Sequence, residues 1–327
     1  MTRNSQFTPQ INTENQIANQ SQLNKSQLGH DTHLFIKNSV LQPFQWPSFE
    51  HVLGKHWENV AARGGSAIDI FPLAACLAAG GTIQQAMPVA ASWSLYLFAG
   101  RIFDDLADGE GGDSDLFTMG DAPMPLSTCL FAVSAATAAL SSLDDPTAYS
   151  DIVTTFSHTL ALAAKSENVQ PSLSALSVEA YFEVIAAKTG LVFATGAWAG
   201  GRTATVDADM LNALHTYGLH VGMMTQILDD CVDLKTDLLN QVWTLPLIYG
   251  LSQTTHPLYA RLTQLTNQQQ PPTESWAVAV VDTLTQMNAL SWSHHLAEVH
   301  RQEAVRAIAS LPFHNELLMY YVTPKAE

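Results

Sequence analysis

The 327-residue chain reads as an all-α protein. Three observations lead there. From His33 onward, segments rich in Ala, Leu and Met carry apolar residues at helical spacing. Alternating Val/Ile/Thr runs bounded by turn residues, the pattern of half-buried strands, do not occur. The segments are separated by helix breakers at Gly80-Gly81, Gly109 to Gly112, Asp144 to Pro146, Gly200-Gly201 and "NQQQPPTES".

Taken in order, residues 1–32 are expected to be a disordered tail. The stretch "NTENQIANQSQLNKSQ" is rich in Asn, Gln and Ser and has too few large apolar residues to offset chain entropy. Residues 33–327 then form a single helical domain. Two uncharged stretches, Ile70 to Gly100 and Ala122 to Leu143, are long enough to suggest membrane spans. The first is interrupted by "AAGGTIQQAMP", and the second is rich in Ala, Ser and Thr with two early prolines. Both read as buried helices of a soluble core. Further on, "SVEAYFEVIAAKTGLVFATGAWAGG" starts with Ser177 and Glu179, which suit a helix N-terminus. "DADMLNALHTYGLHVGMMTQILDDCVD" forms another long helix starting near Asp207.

Charge and cysteine usage narrow the class. Hydrophobic residues make up 47% and charged residues 13%, as in a globular protein, and the formal net charge is −16. Such a surface is a poor match for nucleic-acid phosphates or for a polybasic contact with membrane lipid. The three cysteines, Cys76, Cys129 and Cys231, are dispersed and show no CxxC spacing, which fits a reducing compartment and neither a disulfide framework nor a zinc site. No basic-then-apolar signal segment opens the chain, so a cytoplasmic location is expected.

The chemistry concentrates in two aspartate clusters. Asp104, Asp105 and Asp108 lie in "RIFDDLADGE", and Asp229, Asp230 and Asp233 lie in "QILDDCVDLKTD". Each has the form DDxxD and ends an apolar helical run. Residues four apart share a helix face, so Asp104 pairs with Asp108 and Asp229 with Asp233. Carboxylates this close repel unless a cation lies between them. Two such faces across a pocket suit Mg²⁺, which takes oxygen ligands and shares them with substrate phosphates. One such motif is an ordinary acidic helix end. Two copies with a cation between them in sequence are more specific. That cation is Lys188, set in the apolar run "AAKTG", where an unpaired charge is costly. A diphosphate is a suitable partner. Thr189 and Gly190 follow, and Gly190 can loosen the helix so that backbone groups face a ligand. Such a site would stabilise a departing diphosphate and leave a carbocation in an apolar pocket.

These motifs resemble the trans-polyprenyl diphosphate synthase family, from about Gly54 to the C-terminus. "FDDLAD" resembles its first aspartate-rich motif and "YFEVIAAKTG" its diphosphate-lysine helix. "YGLHVGMMTQILDDCVD", with Gln226, resembles the segment ending in its second motif. "TLPLIYGLS" and "AVRAIASLP" follow in the family's order. The resemblance implies an isoprenoid synthase-type helical bundle around a central apolar cavity. It implies Mg²⁺, three ions with the substrate diphosphate, held by Asp104, Asp105, Asp108, Asp229, Asp230 and Asp233. Asp104, Asp108, Asp229 and Lys188 would be catalytic, with Lys188, Thr189, Gln226, Phe98, Ala99, Gly100 and Phe103 against substrate. A homodimer is expected, as is usual in the family. Gly100 and Ala99, four and five residues before the first aspartate, are small. Bulk there limits chain growth in the family, so a deep pocket for a C15, C20 or longer allylic chain is implied, with Tyr96 or Phe98 as floor.

The departures are as informative. The family binds isopentenyl diphosphate through a Gly-Gly-Lys-Arg segment, where this chain has "RGGSAIDIFP", with Ser66 and Ala67 at the basic positions. Leu97 replaces a frequent histidine, Asp113 and Ser114 replace an Arg-Arg pair, and Gln241-Val242 replaces Gly-Lys before "TLP". Each lost charge-assisted bond removes roughly 1.5–3 kcal/mol. The expected activity is therefore ionisation of one allylic diphosphate, foremost as a class I terpene synthase, with internal quenching of the cation. Rings from among Trp93, Tyr96, Phe98, Phe103, Phe182, Phe193 and Trp198 would stabilise that cation. The alternatives are a prenyltransferase with another acceptor, a chain-elongating synthase with a rebuilt acceptor site, and a non-catalytic partner subunit.

Overall fold

The computed structural model describes residues 24–62, 68–107, 124–166, 177–267, 271–313 and 315–323. The expectations resting on residues 1–23, Arg63, Ser66, Ala67, Asp108, Gly109 to Gly112, Asp113 and Ser114 lie outside the described residues.

Folding starts earlier than composition predicts, and the tail expected to reach residue 32 is corrected here. Helix α1, Lys25–Phe35, is capped by Asn24, whose side-chain oxygen accepts the Ser26 N–H at 3.0 Å. It runs into a π-helical turn, Ile36–Leu41. The segment is polar on average, but Leu28, Thr32, Ile36 and Val40 recur at helical spacing and are buried. A few correctly spaced apolar groups suffice once a core receives them. His33 stacks on Trp57 at 3.8 Å between ring centroids and contacts Asp69 at 3.0 Å.

Next come α2, Pro47–Ala62, a 3₁₀ turn at Ile68–Ile70, α3, Phe71–Ala78, and α4, Ile83–Ala107. All eight residues of α3 are buried. The Ile70 to Gly100 stretch is thus two core helices, separated by a turn at Gly80, whose φ of 83° is the left-handed region that glycine adopts freely. Helix α5, Pro125–Leu140, packs along α4, and α6, Pro146–Ser166, follows a turn at Asp144 to Pro146. No helix among the described residues is long and apolar enough to cross a membrane.

The second half starts with α7, Val178–Ile185, capped as expected by Ser177, which accepts the Ala180 N–H. A π-helical turn, Ala186–Gly190, leads into α8, Leu191–Arg202. The break expected at Gly200-Gly201 is corrected here, because α8 continues through both residues. A Cβ on Gly200 would collide with the carbonyl of Pro72, so its role is the close approach of α3 and α8. Helix α9, Ala208–Val232, is capped by Asp207 and lies between α8 and α14. A Cβ on Gly218 would strike the Phe193 carbonyl, so these backbones also touch.

The chain ends with α10, Leu234–Leu239, α11, Leu245–Ser252, α12, Tyr259–Thr266, α13, Glu274–Gln286, α14, Ala289–Ile308, and α15, Asn315–Val322. The central core joins Phe71, Trp93, Phe193, Tyr217 and Tyr321 through ring contacts of 4.9–5.9 Å. Pairs of this kind contribute about 0.5–1.5 kcal/mol each beyond the burial of their area. Tyr217 donates to the Leu318 carbonyl at 2.6 Å and so fastens α15 to α9. All regular structure among the described residues is helical.

Candidate active site

Three elements converge. Asp104 and Asp105 lie in the last turn of α4, the second aspartate cluster ends α9, and Lys188 stands in the π-helical turn between α7 and α8. Such turns insert an extra residue into a helix and often mark functional sites. Lys188 Nζ lies 3.7 Å from Asp104 Oδ1, both side chains being about a third exposed, at 33% and 39%. The charge of Lys188 also reaches Asp230 and lowers the pKa of that carboxyl, although burial dominates and the net shift is upward. The three sequence signals thus meet in space, with the cation between the two acidic helix ends.

Within each cluster the aspartates differ. Asp105 and Asp230 are buried, each 6% exposed. Arg101 Nε donates to Asp105 across 3.1 Å, one helical turn away. Asp230 accepts from Tyr181 OH at 2.6 Å and from Gln226 Nε2 at 2.8 Å, and the Leu245 N–H donates to it as well. Asp229 and Asp233 face solvent at the end of α9, where Asp233 N–H caps the Asp229 carbonyl at 2.8 Å. Although its outer edge is exposed, protein encloses the inner side of Asp229. That burial, followed by repulsion from Asp230 and Asp233, raises its pKa to about 6. Both causes act in the same direction, burial first and the crowding of like charges second.

Thr189 completes the inner wall, its hydroxyl donating to Gln226 Oε1 at 2.6 Å. A Cβ on Gly222 would press on the Thr189 carbonyl, at 2.7 Å, so only glycine lets α9 approach the Lys188 turn so closely. On α4, Gly100, Phe103 and Asp104 share one outward face by their spacing. Gly100 is exposed, with nothing within 4 Å of an added Cβ, and Phe103 is 39% exposed. Phe98 is not brought to that face. It is fully buried, with its ring against Phe49 and His56. Ala99 is buried beside it. Of the other rings named from sequence, Trp93, Tyr96 and Phe193 are buried, while Phe182 and Trp198 are half-buried.

Tyr181 and the Leu245 N–H carried no assigned role in the sequence reading. Tyr181 lies seven residues, about two turns, before Lys188, a spacing that puts both on one side of the segment. The amide at Leu245 is a backbone group brought in by the start of α11 and leaves no trace in residue identity.

The donor set fits Mg²⁺. Every candidate ligand is a carboxylate oxygen, the preference of a hard cation, and Asp104, Asp229 and Asp233 are open to solvent. Among the described residues, no three metal-ligating side chains already converge on one point. That suits an ion that binds through one or two carboxylates and completes its shell with substrate phosphates and water.

The fold is the all-α isoprenoid synthase fold. The chain is similar over 92% of its length to a polyprenyl synthase from Caulobacter crescentus, solved with calcium and isoprenyl diphosphate, with a TM-score of 0.76, 22% identity and 97% of that chain covered. A geranylgeranyl pyrophosphate synthetase from Pyrococcus horikoshii matches with a TM-score of 0.71 and 19% identity, covering 91% of this chain and 99% of that one. The polyprenyl synthetase family model matches residues 123–280, a little under half of the chain. Among curated relatives, the heptaprenyl diphosphate synthase component 2 of Bacillus subtilis is 26% identical over 147 residues, 42% of this chain and 41% of the relative. A prenyl transferase of Cyanophora paradoxa is 27% identical over 150 residues, 42% of this chain and 44% of the relative. The chain therefore spans less than half the length of the curated relatives it matches.

Proposed function

We propose that this protein binds an allylic prenyl diphosphate and transfers its prenyl group. The observation that carries the reading is Lys188 held 3.7 Å from Asp104, between two aspartate clusters on converging helices. Asp104, Asp229 and Asp233, with Asp108 on the same motif, would hold Mg²⁺, which neutralises diphosphate oxygens and so makes the diphosphate a better leaving group. Lys188 binds the diphosphate directly, and its point charge grows more favourable as negative charge accumulates there. Thr189 and Gln226 hold the inner wall in place. Gly100 and Phe103 line the path of the hydrocarbon, and the missing side chain at Gly100 leaves room for a C15 to C20 or longer chain. The allylic C–O bond breaks and the diphosphate departs with its electron pair. The resulting cation is attacked by an acceptor, which then loses a proton.

The named relatives favour a transferase over the cyclase expected first from sequence. One is a prenyl transferase, and another is a component of a prenyl diphosphate synthase. The cyclase remains the second reading on a specific observation. The positions that anchor isopentenyl diphosphate in the family hold Ser66, Ala67, Leu97, Asp113, Ser114 and Val242, none of them basic. A non-catalytic subunit role is disfavoured by retention of both clusters and of Lys188.

Incubation of the protein with C10, C15 and C20 allylic diphosphates and Mg²⁺, with and without isopentenyl diphosphate, separates these readings. Longer diphosphates formed only with isopentenyl diphosphate support elongation. Hydrocarbon or alcohol formed without it supports cyclisation. No turnover except after a partner protein is added supports the subunit role and overturns the proposal. The homodimer proposal draws support from α5, which carries no charged residue and exposes Leu126 and Leu130, each at 68%. Light scattering of the purified protein, which gives a particle mass, tests it against the 35.5 kDa chain.

A further inference from the structure

We propose that Tyr181 is a positioning residue for the second aspartate cluster, and that Asp230 is an anchor held by protein donors and not a metal ligand. The inference rests on the diphosphate reading of the site and deepens it. Both carboxylate oxygens of Asp230 are occupied, Oδ2 by the Tyr181 hydroxyl at 2.6 Å and Oδ1 by Gln226 Nε2 at 2.8 Å, and the Leu245 N–H adds a further donor. Asp230 is 6% exposed. These three donors take up most of the roughly four acceptor sites of the carboxylate, so a cation seated on Asp230 would crowd buried donors, and a buried donor without an acceptor is destabilising. Its neighbour Asp229 is exposed and better suited to meet an ion.

The bonds run in one direction. An ionised carboxylate only accepts, so the Gln226 amide must turn its NH₂ towards Asp230. Its carbonyl oxygen then faces Thr189, whose hydroxyl donates at 2.6 Å. Tyr181 OH completes the set from the opposite side of Asp230. The chain of bonds links α7, the π-helical turn and α9, and it brackets Lys188. Tyr181 ties down α7 before the lysine, and Thr189, the residue immediately after it, is tied to Gln226.

A π-helical turn departs from the regular ladder, so by itself it fixes a long lysine side chain poorly. The Gly222 contact sets how closely the turn approaches α9, and the polar chain sets its register. Lys188, Asp229 and Asp233 are thereby presented to one diphosphate without the cost of reorganising on binding. Removing the Tyr181 hydroxyl leaves the ring in place but releases Oδ2, so that Asp230 is held on the Gln226 side and by the Leu245 N–H.

The test uses the full chain and inorganic diphosphate with Mg²⁺, read by the thermal-unfolding shift on ligand addition and by titration calorimetry. The wild-type protein is expected to show a clear upward shift. Tyr181→Phe is expected to bind about 10-fold more weakly, with a smaller ligand-induced shift, because the cluster must then be ordered on binding. Thr189→Val, which breaks the other end of the chain, should reproduce the loss, while Thr189→Ser should retain wild-type binding. A purely structural tyrosine would lower the ligand-free melting temperature but leave the ligand-induced shift unchanged. Equal shifts in wild type and Tyr181→Phe overturn this inference and leave the site reading standing. No shift in the wild type overturns both. If Tyr181→Phe does not fold, wild-type binding by Thr189→Val overturns the inference on its own.

Discussion

Gln241 stands where the family resemblance implies a glycine before "TLP", and its backbone is of the kind glycine adopts freely. Its φ is 58°, in the left-handed region. Helix α10 ends there in a Schellman arrangement. The Val242 N–H donates to the Asp237 carbonyl at 2.8 Å, and the Gln241 N–H donates to the Leu238 carbonyl at 3.2 Å. Both bonds are made by the backbone, so Gln241→Gly keeps them. The Gln241 side chain is exposed and is named in no hydrogen bond, so little packing is lost. What remains is the steric cost of a Cβ in the left-handed conformation, about 1 kcal/mol or somewhat more. Gln241→Gly is therefore expected to stabilise the fold by about 1 kcal/mol, a shift of roughly 2 °C in melting temperature for a chain of this size. Urea unfolding monitored by circular dichroism should show a higher midpoint at an unchanged slope. An unchanged or lowered midpoint would refute the account of the α10 terminus. Adding Val242→Lys then places a cation on a partly exposed position, 39% accessible, and should raise isopentenyl diphosphate affinity in the double variant if this position belongs to an acceptor site.

Other outcomes follow from the same structure. Gly54 lies inside α2 with nothing within 4 Å of an added Cβ, so Gly54→Ala should stabilise the protein by about 0.5–1 kcal/mol in the same urea assay and leave ligand binding unchanged. Lys188→Gln should weaken binding of a C15 allylic diphosphate with Mg²⁺ roughly 10- to 150-fold by calorimetry, the range for one charge-assisted contact. Equal affinity would remove Lys188 from the site. Asp229, raised to about 6, binds a proton more tightly folded than unfolded. In the ligand-free protein its contribution to stability is fully present below the ordinary aspartate range and is lost as pH rises through about 6. Mg²⁺ requires the ionised form, so Mg²⁺ affinity should fall as pH drops below about 6, and Asp229→Asn should flatten that dependence. A pH-independent affinity in the wild type would argue against Asp229 as a ligand.

Much of this could be read along the chain. Helical spacing and the missing strand pattern predicted the fold class, and Ser177 and Asp207 marked two helix starts that the structure reproduces. Both are local signals, carried by residues a few positions apart. The expectations that failed depended on what a segment packs against. The Asn/Gln/Ser-rich composition hid α1, because Leu28, Ile36 and Val40, the buried apolar residues that with Thr32 fix this segment, are scarce and meaningful only beside a core. Gly200-Gly201 read as a break because glycine disfavours helix, but here it admits the backbone of Pro72.

For the site, the sequence alone supplied the two aspartate clusters, Lys188 between them, and the missing basic residues. Residue identity carries charge, and charge in an apolar run is visible without coordinates. Only the tertiary structure decided which aspartates face solvent and which are held by protein donors. Asp104 and Asp105 are adjacent and chemically identical, as are Asp229 and Asp230, yet one of each pair is buried against Arg101 or Tyr181 and the other is open. Successive residues on a helix point about 100° apart, and which direction is inside depends on helices far away in sequence. That is why an acidic motif could be found by reading, while the division of labour within it required the packing of α4, α7 and α9.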